Sequence, residues 1–467
     1  MMGEEQLKEQ IMKVIQGILL EEPSTATVAT SSVGIFPRVD AAVAAAKVAQ
    51  DRLDDLSLEQ RRAIIAAIRT GMTPHIETIA RETVEETKMG RYEDKIQKLT
   101  LAINKTPGVE DLITEAVTGD NGMTLYELSP YGVIGAVTPS TNPAETLICN
   151  AIGMIAAGNA IYFSVHPGAK RISGWVVSKL NELIYQSCGI HNLVVTIEKP
   201  SIEAAQEMMS HPDISLLVIT GGPGVVRQAM KSGKKTIAAG EGNPPSLVDE
   251  TADLDKAAAD IVLGASFDNN ILCTAEKSVV AVEQVVDYLI LQMEKQGAYY
   301  IGDEQIIQRL INQMIAENGA PNRQFVGKNA SEILAAVGVH VSADIRVIIM
   351  KTEKDHPFVV KEMLMPILPI VTVKDFDEAL PTALGIENKC HHTATMHSQN
   401  IQRLNLAAKK FQTSIFVKNG SSFAGLGFGG EGPTTFTIAT PTGECTTTAR
   451  NFARKRRCVL TDGFSIR

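Results

Sequence analysis

The residue best suited to covalent chemistry in this sequence is Cys273, within the stretch FDNNILCTAEKS at 267–278. A cysteine thiolate adds to electrophiles and later leaves from a thioester, so a reactive Cys273 would split one difficult reaction into two easier steps. A free thiol also packs like a small apolar side chain, and a lone cysteine more often fills a core than reacts. The motif alone leaves both interpretations open.

Other polar residues could contribute to a site, but each has a simpler explanation. Asn142 precedes Pro143, where asparagine commonly forms a turn. A lone glutamate such as Glu362 is usually an exposed surface acid. His391 and His392 are adjacent, so their side chains point in different directions, and we leave both out of the catalytic residues.

A glycine-rich turn could bind phosphate. The run LLVITGGPGVVRQAM passes from a predicted strand through TGGPG (220–224) into a predicted helix. Backbone N–H groups at a helix N-terminus attract phosphate. The turn lacks the full GxGxxG spacing, and bare glycine turns are common without a ligand, so this signal is weak.

The elements that would position these residues predict an α/β fold. Residues 35 to about 120 have the pattern of consecutive amphipathic helices. Short apolar runs then alternate with helical stretches, which is typical of a parallel sheet built from βαβ units. The runs are VIGAVTP (133–139), AIYFSV (160–165), LVVTI (193–197), LLVIT (216–220) and TIAAG (236–240). We interpret this part as a nucleotide-binding α/β domain. The same alternation continues beyond 245 with SVVAVE, VIIM and ILPIVTV, which predicts a second α/β domain that carries Cys273. A reactive Cys273 would then face the nucleotide across a cleft between the domains.

Composition narrows the class of protein. A chain of 467 residues predicts two or more domains, and 44% hydrophobic with 21% charged residues is the balance of a soluble globular protein. The net charge of −9 argues against nucleic-acid binding, and we interpret RKRR at 454–457 as a solvated face. No apolar run approaches the length of a membrane span.

Cysteine spacing also bears on the class. The six cysteines include no CxxC pair, so neither a zinc site nor a disulfide framework is indicated, and we expect no metal. A reducing cytoplasm fits this pattern.

The first twenty residues form a separate element. Apolar residues recur there at helical spacing between charged ones, so residues 1–20 are predicted to form an amphipathic helix, and the small and polar residues of 21–34 form a linker. A frayed helix, an oligomer contact and a docking peptide all fit this pattern.

Several stretches together resemble the aldehyde dehydrogenase superfamily, and within it the coenzyme-A-acylating branch found in bacterial microcompartments. They run in consistent order and are PSTNP (139–143), AAGNAIYFSVHPGAK (156–170), ITGGPG (219–224), AAGEGNPPSLVDETADL (238–254), GASFDNNILCTAEKS (264–278), KEMLMPILPIV (361–371), HHTATMHS (391–398) and GLGFGGEGPTTFTIATPTGE (425–444). The resemblance implies a Rossmann-like NAD-binding domain, an α/β catalytic domain and a small β oligomerisation extension. The implied boundaries are 35–240 for the NAD- and coenzyme-A-binding domain, interrupted by oligomerisation strands at about 123–134, then 241–445 for the catalytic domain and 446–467 for an oligomerisation strand.

The resemblance also implies roles for particular residues. Cys273 falls where the family keeps its nucleophile. Asn142 matches the asparagine whose amide, with the backbone N–H of Cys273, holds the oxygen that becomes negative during attack. Glu362 matches the glutamate that holds the nicotinamide ribose. The other cofactor-binding positions implied by the matching motifs are Thr138, Pro139, Ser140, His166, Pro167, Gly168, Thr220, Gly221, Gly222, Gly240 and Leu364.

Two departures from hydrolytic relatives carry information. The glutamate that activates water there corresponds to Ala239 here, so a thiol such as that of coenzyme A should take the acyl group, although Glu241 stands two residues away. The lysine and glutamate that grip the adenosine ribose become His166 and Ala169. With Lys170 and Arg171 following, we expect one pocket to accept NAD first and the 3′-phosphoadenosine of coenzyme A afterwards.

The resemblance therefore implies oxidation of a small aldehyde, propionaldehyde, with NAD⁺ and coenzyme A through a Cys273 thioester. An acylating enzyme for acetaldehyde and a hydrolytic dehydrogenase that uses Glu241 are the alternatives. The resemblance also favours residues 1–20 as a peptide that docks on a shell or core protein, placing the enzyme in a microcompartment lumen of the cytoplasm as a homodimer or homotetramer, with no nucleic-acid or membrane partner.

Overall fold

The computed structural model describes residues 33–464 and residue 466. The predicted helix over 1–20 and nearly all of the linker over 21–34 lie outside this part of the chain. The α-helices of the described chain are α1 (Val39–Asp54), α2 (Leu58–Met72), α3 (Ile76–Thr87), α4 (Tyr92–Lys105), α5 (Pro143–Ala156), α6 (Lys170–Cys188), α7 (Ile202–Ser210), α8 (Pro223–Met230), α9 (Leu254–Ser266), α10 (Glu283–Lys295), α11 (Glu304–Met314), α12 (Ala330–Ala336), α13 (Phe376–Glu387) and α14 (Ile401–Phe411). None of the described helices combines the length and hydropathy needed to cross a bilayer.

The strands form two large sheets and two small ones. They are β1 (Ile35–Phe36), β2 (Glu115–Gly119), β3 (Gly122–Pro130), β4 (Val133–Val137), β5 (Ala160–Ser164), β6 (Val194–Ile197), β7 (Ile214–Thr220), β8 (Lys235–Ala239), β9 (Pro245–Val248), β10 (Ser278–Val282), β11 (Ala298–Tyr300), β12 (Val347–Thr352), β13 (Ile367–Val373), β14 (Thr393–His397), β15 (Ile415–Lys418), β16 (Ile438–Ala439), β17 (Cys445–Thr446) and β18 (Ala453–Thr461). Strands β4 to β8, β10, β12 and β13 coincide with the predicted apolar runs.

The first large sheet has six parallel strands in the order β1-β6-β5-β4-β7-β8. Its central strands are buried along nearly their whole length, because helices cover both faces of a parallel sheet. The chain leaves β4 for β5 on one side and returns to β7 on the other. In open α/β sheets, ligands bind beyond the carboxyl ends of the strands at such a reversal.

Helix α5 begins at this edge. Pro143 occupies its first turn, where a missing N–H costs nothing, and all 14 residues of the helix are buried. A helix that is buried all round lies inside the core rather than on its surface. Asn142, the residue immediately before it, is therefore held at the edge of the sheet by a fully packed element.

The second large sheet has seven parallel strands in the order β11-β12-β13-β10-β9-β14-β15. Strand β10 follows the Cys273 stretch directly, so the nucleophile candidate lies at the amino end of a central strand. Helices α10 and α13 pack against this sheet. The predicted α/β class, with two parallel sheets, is confirmed.

The C-terminal part of the chain returns to the first core. Phe423, Phe436 and Phe452 pack in the same apolar cluster as helix α5, and Asn159 Nδ2 donates to the backbone oxygen of Phe452 over 2.9 Å. The end of the catalytic domain at residue 445 stays a prediction, although Phe423 and Phe436, which precede this residue, pack in the first core. Hydrophobic pattern identifies residues that will be buried, but it does not say which of two cores they enter.

A three-stranded antiparallel sheet stands beside the two domains in the order β18-β3-β2. The oligomerisation strands expected at about 123–134 are divided in the structure, because β3 ends at Pro130 and Val133 begins β4. The RKRR run lies on exposed β18, where Lys455 Nζ is 2.6 Å from Glu115 Oε2 and Arg457 donates to the Tyr126 hydroxyl. Its role in oligomerisation stays a prediction.

Candidate active site

The loop that carries Cys273 begins with an unusual backbone. Asp268, Asn269 and Asn270 have φ values of 48°, 55° and 65°. Only a few residue types accept this left-handed region at low cost, and Asp and Asn are the best after glycine because their short side chains bond locally. The FDNN sequence therefore suits the sharp turn that leads from α9 to the cysteine.

Buried charges hold the start of this loop. The Asp268 carboxylate accepts from the backbone N–H of Arg91 over 2.7 Å and from Lys95 Nζ over 3.1 Å, and it also contacts Lys98 Nζ. Both lysine side chains and Asp268 are fully buried. Burial would raise the pKa of Asp268, but Lys95 and Lys98 outweigh this and lower it, so the carboxylate stays ionised.

A third buried lysine holds the end of the loop. Lys277 Nζ donates to the Asn270 side chain over 2.7 Å and to the backbone oxygen of Leu272 over 2.9 Å. Asn270 in turn donates to the backbone oxygens of Ala265 and Glu276. The carbonyl oxygen of the peptide that precedes Cys273 is therefore held by a buried ammonium.

Cys273 itself is partly accessible, and its surroundings disfavour the thiolate. Burial and the nearby Glu362 carboxylate raise the pKa of the Cys273 thiol to about 12, while Lys277 acts in the opposite direction. The resting side chain is thus a protonated thiol. Loss of the Glu362 charge would favour the thiolate.

Asn142 is oriented by the same buried charges. Lys98 Nζ donates to Asn142 Oδ1 over 2.6 Å and lies 3.3 Å from Glu145 Oε1. Because the oxygen of the amide accepts from an ammonium, the Nδ2 group is assigned as the end that donates, and it lies 3.3 Å from Thr141 Oγ1. The amide can therefore present N–H donors rather than its oxygen.

A glycine allows two loops to meet at the cysteine. A Cβ added to Gly242 would lie 2.9 Å from the backbone oxygen of Cys273 and 2.8 Å from Cγ of His392. The stretch after β8 and the Cys273 loop therefore touch through bare backbone. Ala239, the residue that corresponds to the water-activating glutamate of hydrolytic relatives, ends β8 and is buried.

A cavity of about 300 Å³ opens beside this contact. Its walls include Glu362 and the exposed Glu241; the full lining is Glu241, Gly242, Asn243, Gly319, Pro321, Val360, Lys361, Glu362, Asn388 and Cys390. Burial and Glu241 raise the pKa of Glu362 to about 7, and Lys277 opposes them. Glu362, and Glu241 which could act as a base, thus share a cavity with Gly242, whose backbone meets the Cys273 loop.

The predicted cofactor residues of the first domain share one edge of its sheet. Thr138, Pro139 and Ser140 follow β4, and the other groups follow neighbouring strands: His166, Pro167 and Gly168 after β5, Thr220, Gly221 and Gly222 at β7, and Gly240 after β8. The buried Thr138 Oγ1 has no hydrogen-bond partner in the protein. An orphaned buried hydroxyl at a strand reversal suits a bound nucleotide.

The residues expected to bind the adenosine part of the cofactor, near His166, already have some partners within the protein. His166 Nδ1 accepts from the Gly168 N–H over 3.0 Å. The Arg171 guanidinium contacts Glu82, and Glu86 accepts from the backbone N–H of Arg171 over 2.8 Å. Part of the positive charge expected from Arg171 is therefore already compensated, whereas Lys170 is exposed.

Leu364 and the two histidines lie in the second domain. Leu364 has a φ of 54°, and its backbone oxygen accepts from Gly327 N–H over 3.0 Å. His391 is exposed, whereas His392 is fully buried with Nδ1 2.9 Å from Thr393 Oγ1. Among the described residues no group of three or more His, Cys, Asp or Glu side chains could hold a metal ion.

The residues that hold the site together were not predicted from the sequence: they are Lys98, Asp268, Lys277 and Gly242. One signal was present. Lys95, Lys98, Leu99 and Ala102 recur at i, i+3, i+4 and i+7, so the two lysines occupy the buried stripe of helix α4. Charged residues at such positions require buried partners.

Comparison with known proteins places this geometry in a family. The profile of the aldehyde dehydrogenase family matches residues 20–440, and the chain belongs to that family. Among characterised relatives, the propanal dehydrogenase (CoA-propanoylating) of Citrobacter freundii is 54% identical over 455 residues, covering 97% of this chain and 98% of that protein. The acetaldehyde dehydrogenase (acetylating) EutE of Escherichia coli is 48% identical over 466 residues, covering 98% and 99%.

Solved structures show the same fold. The propionaldehyde dehydrogenase of Rhodopseudomonas palustris, solved with bound CoA and an acylated cysteine, has a TM-score of 0.92 at 50% identity and covers 93% of this chain and 99% of that chain. The propionaldehyde dehydrogenase of a fucose utilisation microcompartment from Clostridium phytofermentans has a TM-score of 0.91 at 48% identity, covering 93% and 100%. An engineered glycolyl-CoA reductase with bound NADP⁺ has a TM-score of 0.91 at 50% identity, covering 93% and 99%.

Proposed function

We propose that the protein is a CoA-acylating aldehyde dehydrogenase that converts propionaldehyde, NAD⁺ and CoA to propionyl-CoA and NADH. The observation that carries the proposal is that Lys98 contacts both Asn142 and Asp268, which begins the loop that carries Cys273, while Lys277 holds the carbonyl oxygen of the Leu272–Cys273 peptide. The similarity to propanal and propionaldehyde dehydrogenases over nearly the whole chain supports the choice of aldehyde.

In the proposed reaction the Cys273 thiolate adds to the aldehyde carbon. The carbonyl electron pair moves to oxygen, and that oxyanion accepts from Asn142 Nδ2 and the Cys273 backbone N–H. Loss of hydride from the carbon then re-forms the carbonyl as a thioester on Cys273. The CoA thiol releases its proton to solvent and attacks this thioester as the thiolate. A new C–S bond to CoA forms, the C–S bond to Cys273 breaks, and the Cys273 sulfur leaves as the thiolate, ready for the next turnover.

The first domain supplies the nucleotide site in this proposal. NAD⁺ supplies the hydride acceptor when it is bound. The loops after β4, β5, β7 and β8 would hold it, with Thr138 providing an unpaired hydroxyl and Glu362 facing the ribose from the second domain. CoA would follow in the same site after NADH leaves, consistent with the CoA bound in the R. palustris relative.

The choice of CoA over water rests on residue 239. Ala239 carries no base, so a thioester on Cys273 would resist hydrolysis. Glu241 is exposed and lines the adjoining cavity, which keeps a hydrolytic role as the competing function. Acetaldehyde is the second candidate substrate, because an acetylating relative is 48% identical.

The test is NADH formation from propionaldehyde and NAD⁺, with and without CoA, while the acyl product is identified. We expect sustained NADH formation and propionyl-CoA only with CoA, in both the wild type and the Glu241→Gln variant. Cys273→Ala should be inactive. Steady formation of propionate without CoA, lost on Glu241→Gln, would establish the hydrolytic function instead.

The proposal extends to location and assembly. Residues 1–20 would dock on a shell or core protein of a bacterial microcompartment through their apolar stripe, and the β18-β3-β2 sheet would join subunits into a homodimer or homotetramer. The microcompartment origin of the C. phytofermentans relative supports this location. A fluorescent protein fused to residues 1–20 should concentrate in compartments, and a diffuse signal in cells that make compartments would contradict it.

A further inference from the structure

The two proposed donors to the oxyanion share a chemical arrangement. Each belongs to an amide whose carbonyl oxygen is bound by a fully buried ammonium. Lys98 Nζ is 2.6 Å from Asn142 Oδ1, and Lys277 Nζ is 2.9 Å from the oxygen of Leu272, the other end of the peptide that contains the Cys273 N–H.

An amide whose oxygen accepts from a cation is a stronger donor through its nitrogen. Electron density shifts toward the oxygen, so the N–H groups become more positive, and this cooperativity is larger where water is excluded. The same contacts fix the geometry, because an asparagine amide could otherwise rotate and present its oxygen to the oxyanion.

Lys98 adds a mechanical link between the two donors. Its ammonium contacts Asn142 at the start of α5 and also Asp268, which anchors the left-handed turn before Cys273. The two donors come from different domains, so one ammonium sets the distance between elements that no shared secondary structure connects. Glu145 and Asp268 balance the charges of Lys95 and Lys98.

We propose that Lys98 is a positioning residue for the reaction, which orients and polarises the Asn142 amide and ties it to the Cys273 loop, and that Lys277 does the same for the Cys273 N–H. This inference rests on the proposed function. Neither lysine needs to touch the aldehyde, since each acts through an amide. Burial lowers the pKa of Lys98, but Asp268 and Glu145 outweigh burial and raise it above its usual value, so the ammonium persists at neutral pH.

The chain offers a matched control for Lys98. Lys95 lies on the same helix, is equally buried and pairs with the same Asp268 carboxylate over 3.1 Å. The ammonium that contacts Asn142 is that of Lys98. Lys95→Met and Lys98→Met therefore remove the same buried charge from the same cluster. Lys98→Met removes in addition the contacts with the Asn142 amide and with Glu145.

The experiment measures kcat for CoA-dependent NADH formation and the rate at which iodoacetamide alkylates Cys273, a reaction that needs the thiolate but forms no oxyanion. We expect Lys98→Met to lower kcat by about 10- to 100-fold, approaching the cost of losing one oxyanion donor, and to change alkylation and the KM for NAD⁺ less than about threefold. Lys95→Met, which also weakens the hold on Asp268, should lower kcat clearly less than Lys98→Met does at a similar loss of melting temperature. Lys277→Met should slow both reactions, because its ammonium also favours the thiolate.

A double-mutant cycle separates the inference from the function on which it rests. Lys98→Met should cost less activity in an Asn142→Ala background than in the wild type, because the amide is gone and only the contact with Asp268 is left to lose. An equal loss in both backgrounds, or an equal loss on Lys95→Met, would overturn the positioning role. If Lys98→Met fails to fold, Lys98→Gln, whose amide can still donate, enters the same cycle. Full activity of Asn142→Ala or Cys273→Ala would instead refute the proposed function itself.

Discussion

The backbone oxygen of Cys273 and the α-carbon of Gly242 are so close that a methyl group on Gly242 would lie 2.9 Å from that oxygen. The same methyl would also lie 2.8 Å from Cγ of the buried His392. Neither neighbour is the flexible end of a long side chain. The position of the nucleophile thus depends on the absence of a side chain at residue 242.

Gly242→Ala should displace the Cys273 loop from its donors. A shift of this kind near a reacting centre costs on the order of 100-fold in rate, so we expect kcat to fall by about that factor while the protein remains folded. Steady-state kinetics and a melting curve would measure the two effects. Gly385→Ala is the control, because it lies in helix α13 with no atom within 4 Å of the added Cβ, and activity equal to wild type in Gly242→Ala would contradict the prediction.

The pKa of Cys273 should depend on Glu362. Burial and the Glu362 carboxylate raise the pKa of the thiol to about 12, and removing a negative charge favours the thiolate. Glu362→Gln should therefore speed alkylation of Cys273 above pH 7, where the Glu362 carboxyl ionises, and leave it unchanged well below that pH.

Mass spectrometry of iodoacetamide-labelled peptides across pH 6–10 gives the rate at Cys273 separately from the other cysteines. Glu353→Gln removes an exposed acid outside the cavity and should leave the profile as in wild type. Slower alkylation of Glu362→Gln above pH 7 would show that the carboxylate helps the thiolate instead.

Two buried histidines should make folding stability depend on acidity. Burial, together with Lys277 for His392 and Lys256 for His397, lowers the pKa of each imidazole to about 4. Between pH 6.5 and 4 the unfolded chain binds protons that the native protein does not, so stability falls as pH falls through this window, by about 3 kcal/mol per histidine at the lower end.

Urea unfolding at several pH values measures the slope. His392→Gln and His397→Gln should each flatten it between pH 6.5 and 4, whereas His340→Gln, at an exposed position, should not. An unchanged slope in both buried variants would mean that these imidazoles accept protons in the native state.

Lys170 should matter more to CoA than Arg171 does. Arg171 contacts Glu82, whereas Lys170 is exposed beside the proposed adenosine pocket. We expect Lys170→Ala to raise the KM for CoA by roughly fivefold, the scale of one exposed charge interaction, with a smaller change for NAD⁺. Lys179→Ala, further along helix α6 and paired with Glu182, is the control. Equal increases in the KM values for CoA and for NAD⁺ would show that Lys170 does not bind the 3′-phosphate of CoA.

The sequence predicts those strands and helices whose buried residues form a recognisable local pattern of apolar side chains. Strands such as VIGAV and ILPIVTV are continuous apolar runs because both faces of a parallel sheet are covered. Strand β14 was missed since TATMH is mostly polar, yet it is buried, and Thr395 Oγ1 donates to Ser246 Oγ over 2.8 Å. Such a pairing joins residues far apart in sequence, so no local pattern reveals it.

The candidate site shows the same division. The resemblance to a family supplied Cys273, Asn142 and Glu362, whose types match their proposed chemistry. The residues that hold them, Lys98 and Asp268, were missed because a charged residue in a helical or loop pattern is normally solvated. Their role depends on being buried together in the folded protein. Lys95 and Asp268, for example, are 173 residues apart in the sequence.

The return of Phe436 and Phe452 to the first core has a consequence for biosynthesis. The segment that completes the core around helix α5 leaves the ribosome last, after the whole second sheet. Part of the apolar core of the amino-terminal domain therefore stays uncovered while the other domain is synthesised. Exposed apolar surface of this kind promotes aggregation. A premature stop before residue 436 would leave both large sheets translated but the core around helix α5 incomplete, so we expect such a chain to aggregate.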